Sequence, residues 1–107
     1  MRDITQIKQQ IVDALITLDP EKIILFGSYA YGTPTEDSDL DICVIEKDYE
    51  NKWVEKAKIR KLLSNIKHPK DILLEKKDFF VTHSTDDWIN TAWYDAQHYG
   101  ELLYEKK

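Results

Sequence analysis

The stretch that decides the fold is residues 27–41, which read Gly-Ser-Tyr-Ala-Tyr-Gly-Thr-Pro-Thr-Glu-Asp-Ser-Asp-Leu-Asp. A Gly-Ser pair follows an apolar run, and ten residues separate the serine from two aspartates that flank one leucine. Glycine lets the backbone approach a ligand closely, and a helix that begins at the serine offers N–H groups to anionic phosphate. The stretch therefore places a turn that can hold phosphates near carboxylates that can hold magnesium.

Residues Leu40–Ile45 form a run rich in β-forming residues, which predicts a strand. Asp39 precedes this run and Asp41 lies within it. Side chains alternate along a strand, so we expect both carboxylates on one face, roughly 7 Å apart, and the intervening apolar residues toward a core. Two such carboxylates repel one another unless a cation lies between them. An isolated Asp-x-Asp is more often a solvated strand end, but the nearby Gly-Ser turn favours a magnesium site.

Gly27-Ser28, ten residues and then Asp39-Leu40-Asp41 resemble the signature of the DNA polymerase β-like nucleotidyltransferase superfamily. More narrowly, they resemble the minimal nucleotidyltransferase (MNT) domains of prokaryotes. Gly32 and Ser38 match the wider pattern, whereas Tyr31 stands where an arginine is usual. The resemblance implies one domain over residues 1–107, of the α/β (α+β) class, in which a small mixed β-sheet is packed with α-helices.

The resemblance also implies a set of site residues. A third carboxylate is expected on a neighbouring strand, and Asp71, which opens the apolar run Asp71–Leu74, is the candidate, with Asp78 as the weaker alternative. ATP is the implied substrate, and two Mg²⁺ ions are the implied cofactors. The implied catalytic and metal-binding residues are Asp39, Asp41 and Asp71, and the implied nucleotide-binding residues are Gly27, Ser28 and Ser38.

Minimal MNT proteins of this size resemble antitoxins that pair with a helical HEPN ribonuclease toxin. The resemblance implies transfer of AMP from ATP to a tyrosine of such a partner. Two alternatives stay open: an antitoxin that acts by contact alone, which the departure at Tyr31 keeps open, and an enzyme that modifies a small molecule. A nucleic-acid mimic is disfavoured, because the acidic residues are scattered among lysines.

Composition is typical of a small soluble enzyme. The 107 residues suffice for one hydrophobic core, and the net charge of −5 does not favour a nucleic-acid-binding face, so no DNA partner is expected. No apolar run has transmembrane length and no signal peptide is visible, so no membrane association is expected and the cytoplasm is the expected location. The lone Cys43 cannot form an internal disulfide and is expected to pack beside the site.

Apolar spacing and turn residues predict the remaining elements. Helices are expected from Ile4 to Leu18, between Tyr49 and Ile66, and from about Ser84 to Gly100, with strands at Lys22–Phe26 and Glu101–Tyr104. The three histidines have no metal-ligand spacing and are expected at the surface or in caps. Trp93 is expected in the core, whereas a surface for another chain, and hence an oligomer, is left open at Trp88, Tyr94 and Tyr99.

Overall fold

The computed structural model describes residues 4–32 and 38–107. Within them, four strands form one mixed sheet in the order β3-β2-β1-β4. The strands are β1 (Lys22–Phe26), β2 (Leu40–Glu46), β3 (Lys70–Lys76) and β4 (Glu101–Glu105). The helices are α1 (Thr5–Leu15), α2 (Ser28–Tyr31), α3 (Lys52–Leu62), α4 (Lys77–His83) and α5 (Ala92–Tyr99), with 3₁₀ turns at Ile16–Leu18 and Asp86–Trp88.

The sheet is antiparallel on both sides of β1 and parallel between β2 and β3. The connection from β2 to β3 passes through α3, as a parallel pair requires a crossover. The predicted fold class is confirmed, and each of the four predicted strands is present within two residues of its expected ends.

Alternation along the strands divides the core between the two faces of the sheet. Leu40, Ile42 and Val44 are fully buried on one face, where they join Ile11 and Leu15 of α1 and residues of α3. The opposite face forms a smaller cluster beneath α4 and α5, made of Ile24, Cys43, Ile45, Phe80 and Ala96. Because Asp41 alternates with Leu40 and Ile42, its side chain belongs to this second face.

The C-terminal helix begins later than its sequence suggests. The prediction of a helix start at Ser84-Asp87 was wrong, since only a 3₁₀ turn occurs there and α5 begins at Ala92. Asn90 adopts a left-handed φ of 74°, which interrupts the helical path, and the Thr91 side chain then accepts a hydrogen bond from Tyr94 N at 3.3 Å. Thr91 is therefore the cap that starts the helix.

Candidate functional site

Gly27 connects β1 to α2 in a conformation that glycine alone adopts readily. Its φ of 78° and ψ of −157° lie in a region that L side chains avoid. A Cβ added here would overlap Oδ2 of Asp41. Position 27 therefore requires glycine for two reasons: its backbone conformation and its close contact with the Asp41 carboxylate.

Strand register brings two of the three predicted carboxylates together. Asp41 on β2 pairs with Asp71 on β3, and aligned residues of neighbouring parallel strands lie on one face about 4.8 Å apart. Asp39 precedes β2 and is exposed. Burial, then the negative charges of Asp71 and Asp39, raises the pKa of Asp41 above its ordinary value. All three carboxylates therefore interact electrostatically at one end of the sheet.

The donor chemistry of these side chains fits Mg²⁺. They supply hard carboxylate oxygens. Burial is the main cause of the raised pKa of Asp41, and a divalent cation would relieve the repulsion from Asp71 and Asp39 that adds to it. In residues 4–32 and 38–107, however, no three His, Cys, Asp or Glu side chains converge closely enough to enclose an ion. Asp39, Asp41 and Asp71 could supply some of the ligands of a magnesium ion, and substrate oxygens and water would have to supply the rest.

Asp78, the weaker alternative, lies elsewhere. It is exposed in the first turn of α4, beyond the far end of β3 from Asp71. The intervening strand separates the two positions by roughly 20 Å at the usual rise per residue. Only Asp71 is adjacent to Asp41 in the sheet.

The predicted nucleotide-binding serines flank the carboxylates. Ser28 is the first residue of α2, and Ser38 immediately precedes Asp39. Because α2 has only four residues, its dipole is small, so the backbone N–H groups and the Ser28 hydroxyl would have to supply most of any attraction for phosphate. Tyr31 ends this helix, and its side chain lies outside what the structure describes.

The sequence interpretation of His68 as a surface or cap residue was wrong. The residue is only 7% exposed, and its Nε2 atom lies 2.9 Å from the Tyr29 hydroxyl and 3.0 Å from the Ser38 carbonyl oxygen. These contacts do not depend on a metal-ligand spacing between histidines. The available signal was the place of His68 in the chain, three residues before Asp71.

Cys43 is a free, fully buried thiol two residues beyond Asp41, as predicted. Burial, and then the charge of Glu75, raises the pKa of this thiol far above its usual range. A thiol that stays protonated is a poor nucleophile. Cys43 packs in the core cluster on the second face of the sheet.

Two buried glutamates lie at the opposite end of the sheet. Glu75 accepts a hydrogen bond from Trp93 Nε1 at 2.9 Å and pairs with Lys52 Nζ at 3.1 Å. Burial, followed by a hydrogen bond with Glu55 and its charge, raises the pKa of Glu46 to about 8. Among the described residues, Oε2 of Glu46 has no hydrogen-bond partner. The contacts of Glu75 stabilise the fold, whereas the unpaired oxygen of Glu46 destabilises it, and both glutamates lie away from the candidate site.

The comparisons with known proteins agree with this arrangement. A model of the nucleotidyltransferase domain family matches residues 8–92. The chain belongs to this family. A protein of Methanocaldococcus jannaschii assigned as a protein adenylyltransferase, MJ1305, is 44% identical to this nucleotidyltransferase domain over 52 residues. The match covers 49% of this chain and 32% of that protein, so it spans about a third of the relative's length.

Solved structures share the fold of this nucleotidyltransferase domain. A toxin–antitoxin complex with AMP-PNP has a TM-score of 0.61 at 23% identity, and a mutant complex of the antitoxin MntA with its toxin has a TM-score of 0.64 at 21% identity. Each match covers 94% of this chain and 74% of the other. The MNT antitoxin complex with a tri-AMPylated HEPN toxin from Shewanella oneidensis scores 0.54 at 20% identity, covering 92% and 73% of the two chains.

Proposed function

We propose that this domain transfers AMP from ATP to a hydroxyl acceptor, and that the acceptor is a tyrosine of a helical HEPN-type toxin. The observation that carries the proposal is the pairing of Asp41 with Asp71 beside Gly27, within a nucleotidyltransferase domain. The AMPylated toxin in the Shewanella oneidensis complex supports the choice of acceptor. The acceptor would reach the site in the cytoplasm as a partner protein.

In the proposed reaction, Gly27 and Ser28 bind the triphosphate, with Ser38 as a further polar contact. The acceptor hydroxyl oxygen forms a bond to the α-phosphorus, and the bond from that phosphorus to the pyrophosphate oxygen breaks. The carboxylate of Asp71 takes the hydroxyl proton, and pyrophosphate leaves. Two Mg²⁺ ions held by Asp39, Asp41 and Asp71 would supply stabilisation of the negative charge on the phosphates.

The proposal is tested with α-labelled ATP, Mg²⁺ and a HEPN protein encoded beside this chain. We expect label on a partner tyrosine, located by peptide mass spectrometry. The double variant Asp39→Asn with Asp41→Asn should remove the label and leave the fold intact. Asp86→Asn with Asp87→Asn, which changes two exposed carboxylates in the 3₁₀ turn, is the matched control and should label normally.

Each alternative gives a different result. Label that appears only on a small molecule would contradict the protein acceptor. A partner that is neutralised without any label, equally by the wild type and the double variant, would show that the chain acts by contact alone. Magnesium-dependent labelling by the double variant would contradict the assigned site.

A further inference from the structure

His68 lies at the meeting point of the three segments that build the candidate site. It occupies the loop between α3 and β3 and is 7% exposed. Its own chain leads into Asp71 three residues later, while its ring faces Tyr29 of α2 and Ser38 before Asp39. One side chain thus contacts both of the other site segments.

The loop that carries His68 is itself held in place. The Nζ atom of Lys70 donates to the carbonyl oxygens of Ile66 and His68, at 2.5 and 2.9 Å. Pro69 also accepts a hydrogen bond from Leu40 N at 2.9 Å, which joins the loop to the start of β2. These contacts hold the backbone on both sides of His68.

The Ser38 contact favours one position for the ring hydrogen. The Ser38 carbonyl oxygen can only accept, so a hydrogen bond at the 3.0 Å contact places the hydrogen on Nε2 of His68. The Tyr29 hydroxyl oxygen, 2.9 Å from the same atom, is then a second acceptor for this N–H group. The two rings also meet edge to face, with their centroids 5.3 Å apart. The ring therefore ties the peptide before Asp39 to the helix that follows Gly27.

We propose that His68 is a positioning residue for nucleotidyl transfer, whose Nε2–H group sets the place of Asp39 relative to the Gly27-Ser28 turn through the Ser38 peptide and Tyr29. This inference rests on the proposed function. Of Asp39, Asp41 and Asp71, Asp39 alone lies outside a strand, so no strand pairing fixes it directly. A hydrogen bond to the preceding peptide supplies that constraint.

The test measures binding of Mn²⁺, a spectroscopic substitute for Mg²⁺, by electron paramagnetic resonance, together with kcat and KM for ATP in the labelling reaction. Removing partners that orient metal ligands typically weakens metal affinity by about 10- to 100-fold. His68→Phe keeps a ring but loses the N–H group, so we expect Mn²⁺ affinity to fall about 10-fold and kcat to fall more than KM rises. His68→Gln, whose amide can donate, should recover most of both.

His98→Phe is the matched control. His98 Nε2 lies 3.0 Å from the Ser84 carbonyl oxygen, a contact of the same type and length in the C-terminal part of the domain. This variant should lose a histidine–carbonyl hydrogen bond and leave Mn²⁺ affinity unchanged. An equal loss of affinity in both variants would overturn the proposal, as would wild-type affinity in a folded His68→Phe protein.

If His68→Phe does not fold, the position of the ring hydrogen of His68 in the wild-type protein tests the proposal. Long-range ¹H–¹⁵N correlation spectra should show His68 protonated at Nε2, and a tautomer with its hydrogen only on Nδ1 would overturn the proposal. A wild-type protein that neither binds Mn²⁺ nor labels a partner would contradict the proposed function. Normal wild-type binding and labelling, combined with an unchanged His68→Phe variant, would contradict only the role of His68.

Discussion

Gly27 lies directly against the carboxylate of Asp41, so that the turn after β1 and the acidic strand β2 share one surface. The pairing of Phe26 with Asp41 in the sheet brings the two positions side by side. A phosphate held by the turn would therefore come close to the Asp41 side chain. This contact links the two halves of the sequence motif.

We expect Gly27→Ala to destabilise the domain and to weaken metal binding. The backbone conformation at this position costs an L residue on the order of 1–3 kcal/mol, and the new methyl group must displace the Asp41 carboxylate. Urea unfolding and Mn²⁺ titration measure the two effects. In a double-mutant cycle with Asp41→Ala, the overlap disappears while the backbone strain remains, so the two changes should destabilise less together than their sum. Strict additivity would contradict the contact.

Replacing Asp41 with asparagine should stabilise the protein while removing the proposed transfer of AMP. Burial and the charges of Asp71 and Asp39 raise the pKa of Asp41, so the ionised side chain opposes folding at neutral pH. In EDTA we expect a higher Tm for Asp41→Asn than for the wild type. Added Mg²⁺ should raise the Tm of the wild type and leave the Tm of Asp41→Asn unchanged. Asp78→Asn, at an exposed position, should behave as the wild type in both conditions.

Glu46 should make the stability of the domain fall as the pH rises from about 4.5 to about 8. Its folded-state pKa of about 8 lies above the ordinary value of 4.5, so the folded protein holds a proton that the unfolded chain releases. The resulting stability is fully present below pH 4.5 and is lost as pH rises through about 8. Glu46→Gln should flatten this part of the curve of unfolding free energy against pH. Glu50→Gln, in an exposed loop, is the control, and parallel curves for Glu46→Gln and the wild type would contradict the expectation.

Trp93→Phe should cost about 1–3 kcal/mol in the free energy of unfolding, because it leaves a buried carboxylate oxygen without its donor. Trp93 Nε1 donates to Glu75, which is 5% exposed, and only Lys52 would then remain on that carboxylate among its described contacts. Trp53→Phe is the matched control, since that indole is 76% exposed and should change stability by less than about 0.5 kcal/mol. Equal effects of the two substitutions in urea unfolding would contradict the role of the Glu75 contact.

The sheet could be predicted from the sequence because its strands are short, apolar and bounded by Pro, Gly or Asp. Strand register could not be read directly, yet it is what places Asp71 beside Asp41. The resemblance supplied the expectation of a third carboxylate. The pairing of β2 with β3 places that candidate, Asp71, next to Asp41. The functional roles of these carboxylates stay predictions.

The sequence does not indicate α4, because Lys77–His83 is short, rich in aromatic and β-branched residues and has no capping side chain at its start. Its position depends on packing instead, since Phe80 is buried in the second core cluster and His83 stacks on Phe79 with ring centroids 3.7 Å apart. The contacts of His68 could not be predicted for a similar reason. Its partners are 30 and 39 residues away along the chain, and only the folded structure brings them together.

The pairing of β4 with β1 has a consequence for synthesis of the protein. Until residues 101–105 have left the ribosome, the outer edge of β1 lacks the strand that pairs with it in the finished sheet. That edge belongs to the most apolar strand, Ile23-Ile24-Leu25, which is buried in the finished sheet. Bare apolar edges recruit other strands, so chains cut short before Glu101 should aggregate or require a chaperone.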